Sequence, residues 1–181
     1  MEYKEIAVLD IETTALKPSE GSIVEIGICL LNTTNGETAK LFNHIVSEGR
    51  MTLKESNAWI FDNSTLLPLE VSSAKPLGFY RKWLQTILLE YPTIAYNRRF
   101  DFGFLENRGF EIKKADMQDP MHVCTPILKI PRGRGYKYPK VEEAYRYFFG
   151  DSYTEEHRAY ADCVDEAKIV YELIQRGHYG S

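Results

Sequence analysis

The sequence predicts an α/β fold in which a mixed sheet of five strands is flanked by helices. Three strand-like segments follow one another near the start of the chain, and the later strand-like segments alternate with helical patterns. A length of 181 residues, with 44% hydrophobic and 27% charged residues, is sufficient for the core of one ordinary domain. We therefore expect a single domain over residues 1–181, whose sheet opens as an antiparallel meander and continues with parallel strands.

The opening meander is indicated by local patterns. Residues 3–10 place an apolar run directly before Asp10, which is typical of a buried strand. Residues 22–31 and 38–47 are the next two predicted strands. Asn35 and Gly36, which lie between them, form a strong hairpin-turn signal.

The second half of the chain alternates helices with short strands. The predicted helices cover residues 77–90, residues 100–108 with Gly109 as the stop, and regions near 139–149 and 157–176. The predicted strands are residues 93–96 and an edge strand at 119–124. Residues 129–140 are predicted to form a basic loop rich in glycine and proline.

The composition excludes several classes of protein. No apolar run is long enough to span a bilayer, and the N-terminus lacks the pattern of a secretory signal. The three cysteines, Cys29, Cys124 and Cys163, form neither a disulfide framework nor a CxxC site, so we expect a cytoplasmic setting. The net charge of −4 argues against a large surface that coats DNA nonspecifically.

Two acidic residues lie at the end of the first predicted strand, and the spacing between them bears on function. Asp10 and Glu12 are two apart, so in a strand both carboxylates point to the same face and repel each other unless a cation lies between them. Taken alone, this pair is better explained by Asp10 as a cap and Glu12 as a solvated side chain.

Two further segments carry acids at element edges. Asp101 lies at the start of a predicted helix, where the helix dipole alone would favour it. His157 and Asp162 lie five apart near the start of the last helix. Because strand ends and helix starts meet on one side of an α/β sheet, we expect the four carboxylates to converge. Oxygen ligands without cysteine favour two Mg²⁺ or Mn²⁺ ions, an arrangement suited to phosphodiester cleavage.

Three motifs resemble those of a known superfamily. Residues 8–14 (VLDIETT), 95–101 (AYNRRFD) and 157–162 (HRAYAD) are similar, in order and spacing, to the motifs of the DEDD or DnaQ-like exonucleases, which have the RNase H-like fold. The histidine branch, DEDDh, has a histidine five residues before the last aspartate, as His157 is here. The tyrosine branch has a tyrosine four before it, where this chain has Arg158.

The resemblance implies a 3′→5′ exonuclease that releases nucleoside 5′-monophosphates from the 3′ end of single-stranded DNA or RNA. Asp10, Glu12, Asp101 and Asp162 would hold two divalent ions, Mg²⁺ or Mn²⁺, and His157 would be the general base. The resemblance further implies that the terminal nucleotide contacts Thr13, Thr14, Leu16, Asn97 and Phe100. For Leu16 and Phe100, packing in the core is an equally good interpretation.

Some alternatives stay open at this stage. A non-catalytic nucleic-acid or polymerase-binding module would also keep the fold, but all five catalytic positions are intact, which favours an enzyme. The sequence is compatible with a homodimer and with a proofreading subunit that acts only when bound to a polymerase, although it does not indicate a polymerase partner. Residues 56–65 lack the His-Gly-Ile segment of many relatives, and Trp59 and Phe61 there are expected in the core rather than against a base. The basic loop either tracks a nucleic-acid backbone or is merely solvated.

Overall fold

A mixed four-stranded sheet forms the centre of the molecule. A computed structural model describes residues 3–150 and 152–179 of the chain. The strands are β1 (Glu5–Thr13), β2 (Ile23–Asn32), β3 (Thr38–Ile45) and β4 (Thr93–Ile94). Their order is β3-β2-β1-β4, with β1, β2 and β3 antiparallel and β4 parallel to β1. The predicted fold class and the opening meander are confirmed.

Eight helices and a small hairpin complete the described part of the chain. The helices are α1 (Leu53–Ser56), α2 (Trp59–Asn63), α3 (Pro68–Ser73), α4 (Leu77–Glu90), α5 (Arg98–Asn107), α6 (Pro120–Leu128), α7 (Val141–Phe149) and α8 (Ala159–Gln175). The hairpin pairs β5 (Pro131–Arg132) with β6 (Gly135–Tyr136). No helix in residues 3–150 and 152–179 combines the length and the apolarity needed to cross a membrane.

The two faces of β1 pack against different helices because strand side chains alternate. Ala7, Leu9 and Ile11 face a core shared with α4 and α5. Ile6 and Val8 face the opposite core, which α8 covers with Ile169, Val170 and other side chains. Asp10 and Glu12 have the same parity as Ile6 and Val8. They therefore continue the face of β1 that α8 covers.

The predicted edge strand at residues 119–124 is wrong, because these residues begin α6. Pro120 occupies the first turn of that helix, where its missing N–H costs nothing, and Val123 and Cys124 are buried against the core under α8. On the edge of β4 that faces away from β1, the described residues form only an isolated bridge, between Thr93 and Lys114. Within the described residues the main sheet thus has four strands rather than the predicted five.

Element boundaries near the site differ from the predictions by a few residues. The last helix begins at Ala159, so His157 and Arg158 precede it rather than open it. The strand predicted at 93–96 is β4, of two residues, and α5 begins at Arg98 rather than residue 100. The predicted loop at 129–140 contains the β5–β6 hairpin.

Candidate active site

The site forms where α8 approaches the sheet beside the end of β1. Asp10 is paired with Gly27 of β2, and Glu12 with Glu25. A Cβ atom added to Gly27 would lie 2.2 Å from the carbonyl oxygen of Ala159, the first residue of α8. Only glycine lets the start of α8 lie this close to the sheet. That approach brings α8 next to the two acids of β1.

Glu25 fixes the start of α8 from the sheet. Its side chain is 2% exposed and accepts hydrogen bonds from the guanidinium of Arg158, at 2.7 Å from Nη2, and from the N–H of Ala159, at 3.0 Å. A carboxylate at a helix N-terminus is favoured by the unpaired N–H groups and the helix dipole. The sequence analysis did not identify Glu25, since nothing local to it signals a contact with a helix over a hundred residues away.

Asp162 and His157 face Glu12 from the start of α8. Oδ2 of Asp162 accepts the N–H of Arg158 at 2.8 Å. One ligand atom each from Glu12, His157 and Asp162 lies within 4.8 Å of the others. His157 adopts a left-handed backbone with φ of 52°, unusual for a residue with a side chain. The strained turn presents the imidazole to the two carboxylates, and such strain is found often at functional sites.

Asp101 reaches the same region from α5. The side chain is 4% exposed. Burial raises the pKa of Asp101 to about 8, although the backbone N–H groups of Asp101 itself and of Ile11, which lies between the two acids of β1, act in the opposite direction. Asp10 and Asp101 lie outside the tight group of Glu12, His157 and Asp162, but their charges reach it.

The carboxyl groups disfavour one another's ionisation. Burial and the charges of Glu166 and Glu12 raise the pKa of Asp10 well above its usual value. Burial and the charge of Asp162 act in the same way on the pKa of Glu12, and burial together with Glu155 raises the pKa of Asp162 to about 7. Such a cluster is stable in its charged form only if a cation compensates it.

A second observation points to a cation. Oδ1 of Asp162 is buried and has no hydrogen-bond partner among residues 3–150 and 152–179. A buried anionic oxygen without a partner is costly, and a metal ion would satisfy it. Carboxylate oxygens are ligands that suit Mg²⁺ and Mn²⁺. The residues present therefore fit divalent ions.

Two acids of this region were missed by the sequence analysis. Glu166, 3% exposed, lies one helical turn after Asp162 and accepts the N–H of Tyr96 at 3.4 Å. A spacing of four residues on a helix could have revealed it. Glu155 is half-buried in the segment before His157, and burial with the charge of Glu142 raises its pKa to about 6. Asp165, three residues after Asp162 on the same helix, forms an ion pair with Lys168 at 2.6 Å.

An apolar pocket of about 510 Å³ opens beside the carboxylates. Its lining residues come from the end of β1 and the segment after it, from α2 and from α5: Ile11, Glu12, Thr13, Thr14, Ala15, Leu16, Trp59, Ile60 and Phe100. Glu12 belongs both to this lining and to the carboxylate cluster. The pocket therefore touches the site where the ions would be held.

The exposed residues of this pocket correct one expectation. Trp59 is 60% exposed and its ring contacts that of His157 edge-on at 4.7 Å, so the prediction that it packs in the core is wrong. Leu16 is 85% exposed, which leaves its core-packing interpretation without support. Phe100 is half-buried and packs against Phe104 as well as lining the pocket. Phe61 packs against the small core under α2, as expected.

The other residues predicted to contact the terminal nucleotide are Thr13, Thr14 and Asn97, and they differ in position. The Thr13 hydroxyl donates to the carbonyl of Ala15 at 2.7 Å, and the Thr14 N–H donates to the carbonyl of Ser22 at 3.0 Å. These bonds shape the segment that carries Leu16. Asn97 precedes α5 without capping it through its side chain, and it is not part of the pocket lining.

The fold and this arrangement of acids define a nuclease of the DEDD type, and comparison with known families agrees. The chain matches the RNase T family of exonucleases over residues 7–170, and it belongs to that family. The predicted membership of the DnaQ-like exonucleases is thereby confirmed. Comparison with the curated proteins gives no significant match.

Several solved nuclease structures share the fold. The nuclease domain of 3′hExo, a DEDDh family member bound to rAMP, is 18% identical with a TM-score of 0.71, over 99% of this chain and 98% of that one. Cell-death related nuclease 4 (CRN-4) is 15% identical with a TM-score of 0.70, over 97% of this chain. A full-length 3′-exonuclease is 18% identical with a TM-score of 0.70, over 98% of this chain. This chain spans 65% and 62% of the lengths of the last two.

Proposed function

We propose that the protein is a metal-dependent 3′→5′ exonuclease of the DEDDh branch. It hydrolyses the last phosphodiester bond of a single-stranded nucleic acid and releases a nucleoside 5′-monophosphate. The observation that carries the proposal is the close group of Glu12, His157 and Asp162, in which a buried carboxylate oxygen has no partner among the described residues.

The site residues have two roles, metal binding and proton transfer. Asp10, Glu12, Asp101 and Asp162 would hold two divalent ions, Mg²⁺ or Mn²⁺. Such ions activate water and neutralise charge on the scissile phosphate and leaving oxygen. His157 accepts the proton of the attacking water through an imidazole nitrogen. Burial lowers the pKa of His157, which keeps the imidazole neutral and able to accept that proton.

The apolar pocket would hold the terminal nucleotide. Leu16 and Trp59 present exposed apolar surface that a base covers, and Phe100 closes the pocket from the core side. Thr13 and Thr14 hold the backbone at the end of β1, and Asn97 lies at the start of the helix that carries Asp101. The rAMP in the 3′hExo structure and the histone mRNA stem-loop that a 3′-exonuclease recognises are ligands consistent with such a pocket.

One assay tests the proposal. DNA and RNA oligonucleotides labelled at the 5′ end are incubated with the protein and Mg²⁺ or Mn²⁺, and the products are resolved by size. We expect a ladder that shortens one nucleotide at a time and stops on addition of EDTA. Activity that persists in EDTA, or internal cleavage, would contradict the mechanism. A chain that binds the strands but cuts none would be the non-catalytic module.

A matched pair of variants tests the residues. Asp162→Asn removes a carboxylate from the cluster and should reduce cleavage to below detection, because the ions then lack a ligand. Asp165→Asn, on the same helix, changes an acid that is paired with Lys168 and should keep nearly full activity. Equal activity in the two variants would show that Asp162 does not hold an ion.

A further inference from the structure

A basic hairpin projects from the segment between α6 and α7. Residues 129–140 contain five of the chain's 22 lysines and arginines and no acidic residue, although the chain as a whole carries a net charge of −4. Strands β5 and β6 lie within this segment, joined by Gly133 and Arg134, with Gly133 at a φ of 58°. We call residues 131–138 the arm. It concentrates positive charge in an otherwise acidic protein.

The base of the arm is firmly attached. Lys137 forms an ion pair with Glu143 of α7, and its N–H donates to the carbonyl of Ile130 at 3.0 Å. The ring of Tyr138 lies 5.0 Å from that of His122 on α6. These contacts fix the direction of the two short strands, so the arm is held in a defined orientation.

The tip of the arm is open to solvent. All six residues 131–136 are exposed, including Tyr136 at 53%. Arg132 and Arg134 form no ion pair or side-chain hydrogen bond with the residues at 3–150 and 152–179. Two unpaired guanidinium groups and an exposed aromatic ring on a rigid support are an arrangement that suits a polyanion with flat bases.

The arm is joined to the active site through Tyr96. The hydroxyl of Tyr96, two residues beyond β4, donates to the carbonyl of Pro139 at 3.0 Å. The N–H of the same residue donates to Glu166 in the carboxylate region. The hydroxyl of Tyr96 also lies 3.2 Å from the carbonyl oxygen of Lys140, whose side chain is exposed at the base of the arm. A strand whose 3′ end lies among the carboxylates therefore has positive charge beside it.

We propose that the arm binds the single-stranded part of the substrate that precedes the 3′ end. Arg132 and Arg134 contact backbone phosphates, and Tyr136 and Tyr138 stack on bases. The inference rests on the proposed exonuclease activity and adds a length preference to it. Strands long enough to reach the arm bind more tightly than a dinucleotide, which occupies only the pocket and the carboxylates.

The test compares two substrate lengths in two double variants. KM is measured for a dinucleotide and for a 20-mer of the same sequence, at several salt concentrations, with wild type, R132Q/R134Q and the control K4Q/K82Q. Lys4 and Lys82 are exposed and have no ion pair within the described chain. Lys4 lies just before the N-terminal end of β1, whereas Asp10 lies near the C-terminal end of that strand. The two double variants lose the same charge.

We expect R132Q/R134Q to raise KM for the 20-mer on the order of tenfold, while KM for the dinucleotide changes less than twofold. The slope of log KM against log salt for the 20-mer should fall by about 1.4, since each phosphate contact on a single strand contributes about 0.7. Tyr136→Ala should raise KM for the 20-mer about fivefold or more through lost stacking. K4Q/K82Q should change neither substrate selectively.

Specific results would overturn the inference. If R132Q/R134Q raises KM for both lengths alike, the arm is part of the site for the terminal nucleotide. If neither KM changes beyond the control, the arm does not bind the strand. Failure of the wild-type protein to hydrolyse either substrate would instead refute the exonuclease proposal. Unchanged melting temperatures show that each variant is folded.

Discussion

The two sides of the candidate site are built in opposite ways. On the charged side, Asp101 and Asp162 are almost fully buried, and the residues of this side come from segments far apart in the chain. The apolar side, with Leu16 and Trp59, is largely exposed. A buried group of like charges requires a ligand of opposite charge, whereas exposed apolar surface is stable in water but gains free energy when covered. In the proposed function, the first side accordingly holds the ions and the second side holds an uncharged, flat group such as a base.

After the loss of a metal ligand, the largest expected effect on the charged side is that of His157→Ala. We expect kcat to fall by about 10²–10⁴-fold, because the attacking water then lacks a general base. The metal-induced rise in melting temperature should persist, since the carboxylates are unchanged. Steady-state kinetics with Mn²⁺ measure the first quantity and thermal unfolding the second.

His178→Ala is the matched control, because His178 is exposed near the end of the described chain. A loss of the metal-induced stabilisation in His157→Ala would show that His157 holds an ion rather than moves a proton.

The apolar side is tested by Trp59→Ala. Loss of stacking on one base weakens binding by about 1–3 kcal/mol, so KM should rise roughly 5- to 150-fold with a smaller change in kcat. Trp83→Ala is the control of the same type, since Trp83 is 48% exposed on α4 and does not line the pocket. A fall in kcat at unchanged KM would instead assign Trp59 to holding His157, which its ring contacts.

The smallest expected effect is the pH dependence of the protein's stability in the absence of metal ions. In the native protein without metal, the pKa values of Asp162 and Asp101 are raised to about 7 and about 8, whereas unfolded aspartates titrate near 4. Between these values the native state binds more protons than the unfolded state, so the free energy of unfolding falls as pH rises. We therefore expect the melting temperature in EDTA to decrease from pH 5 to pH 8.5.

Divalent ions should reverse this trend, because they favour the charged carboxylates. Each kcal/mol corresponds to about 2–4 °C in a chain of this size, so differential scanning fluorimetry resolves the effect. The Asp162→Asn variant should show a weaker dependence on pH in EDTA. A melting temperature in EDTA that rises over this range would mean that the carboxylates are compensated within the protein itself.

Local patterns predicted much of the fold. The three strands of the meander and the hairpin at Asn35-Gly36 depend on alternation and turn chemistry between near neighbours, and both are present. The segment 119–124 was wrongly predicted as a strand because a short apolar stretch is ambiguous, and its helix is decided by packing against α7 and α8. The core position predicted for Trp59 failed for a similar reason: aromatic residues are usually buried, but here α2 turns the ring outward.

The sequence by itself determined the family of this protein and predicted its chemistry. Asp10, Glu12, Asp101, His157 and Asp162 occur in an order and context that indicate a metal-dependent nuclease, because metal ligation depends on residue type. Only the tertiary structure decided which groups meet. The absence of a side chain at Gly27 lets α8 touch the sheet, Glu25 caps that helix, and Glu166 joins the acids. These contacts join residues distant in sequence, and no local pattern encodes a distance between them.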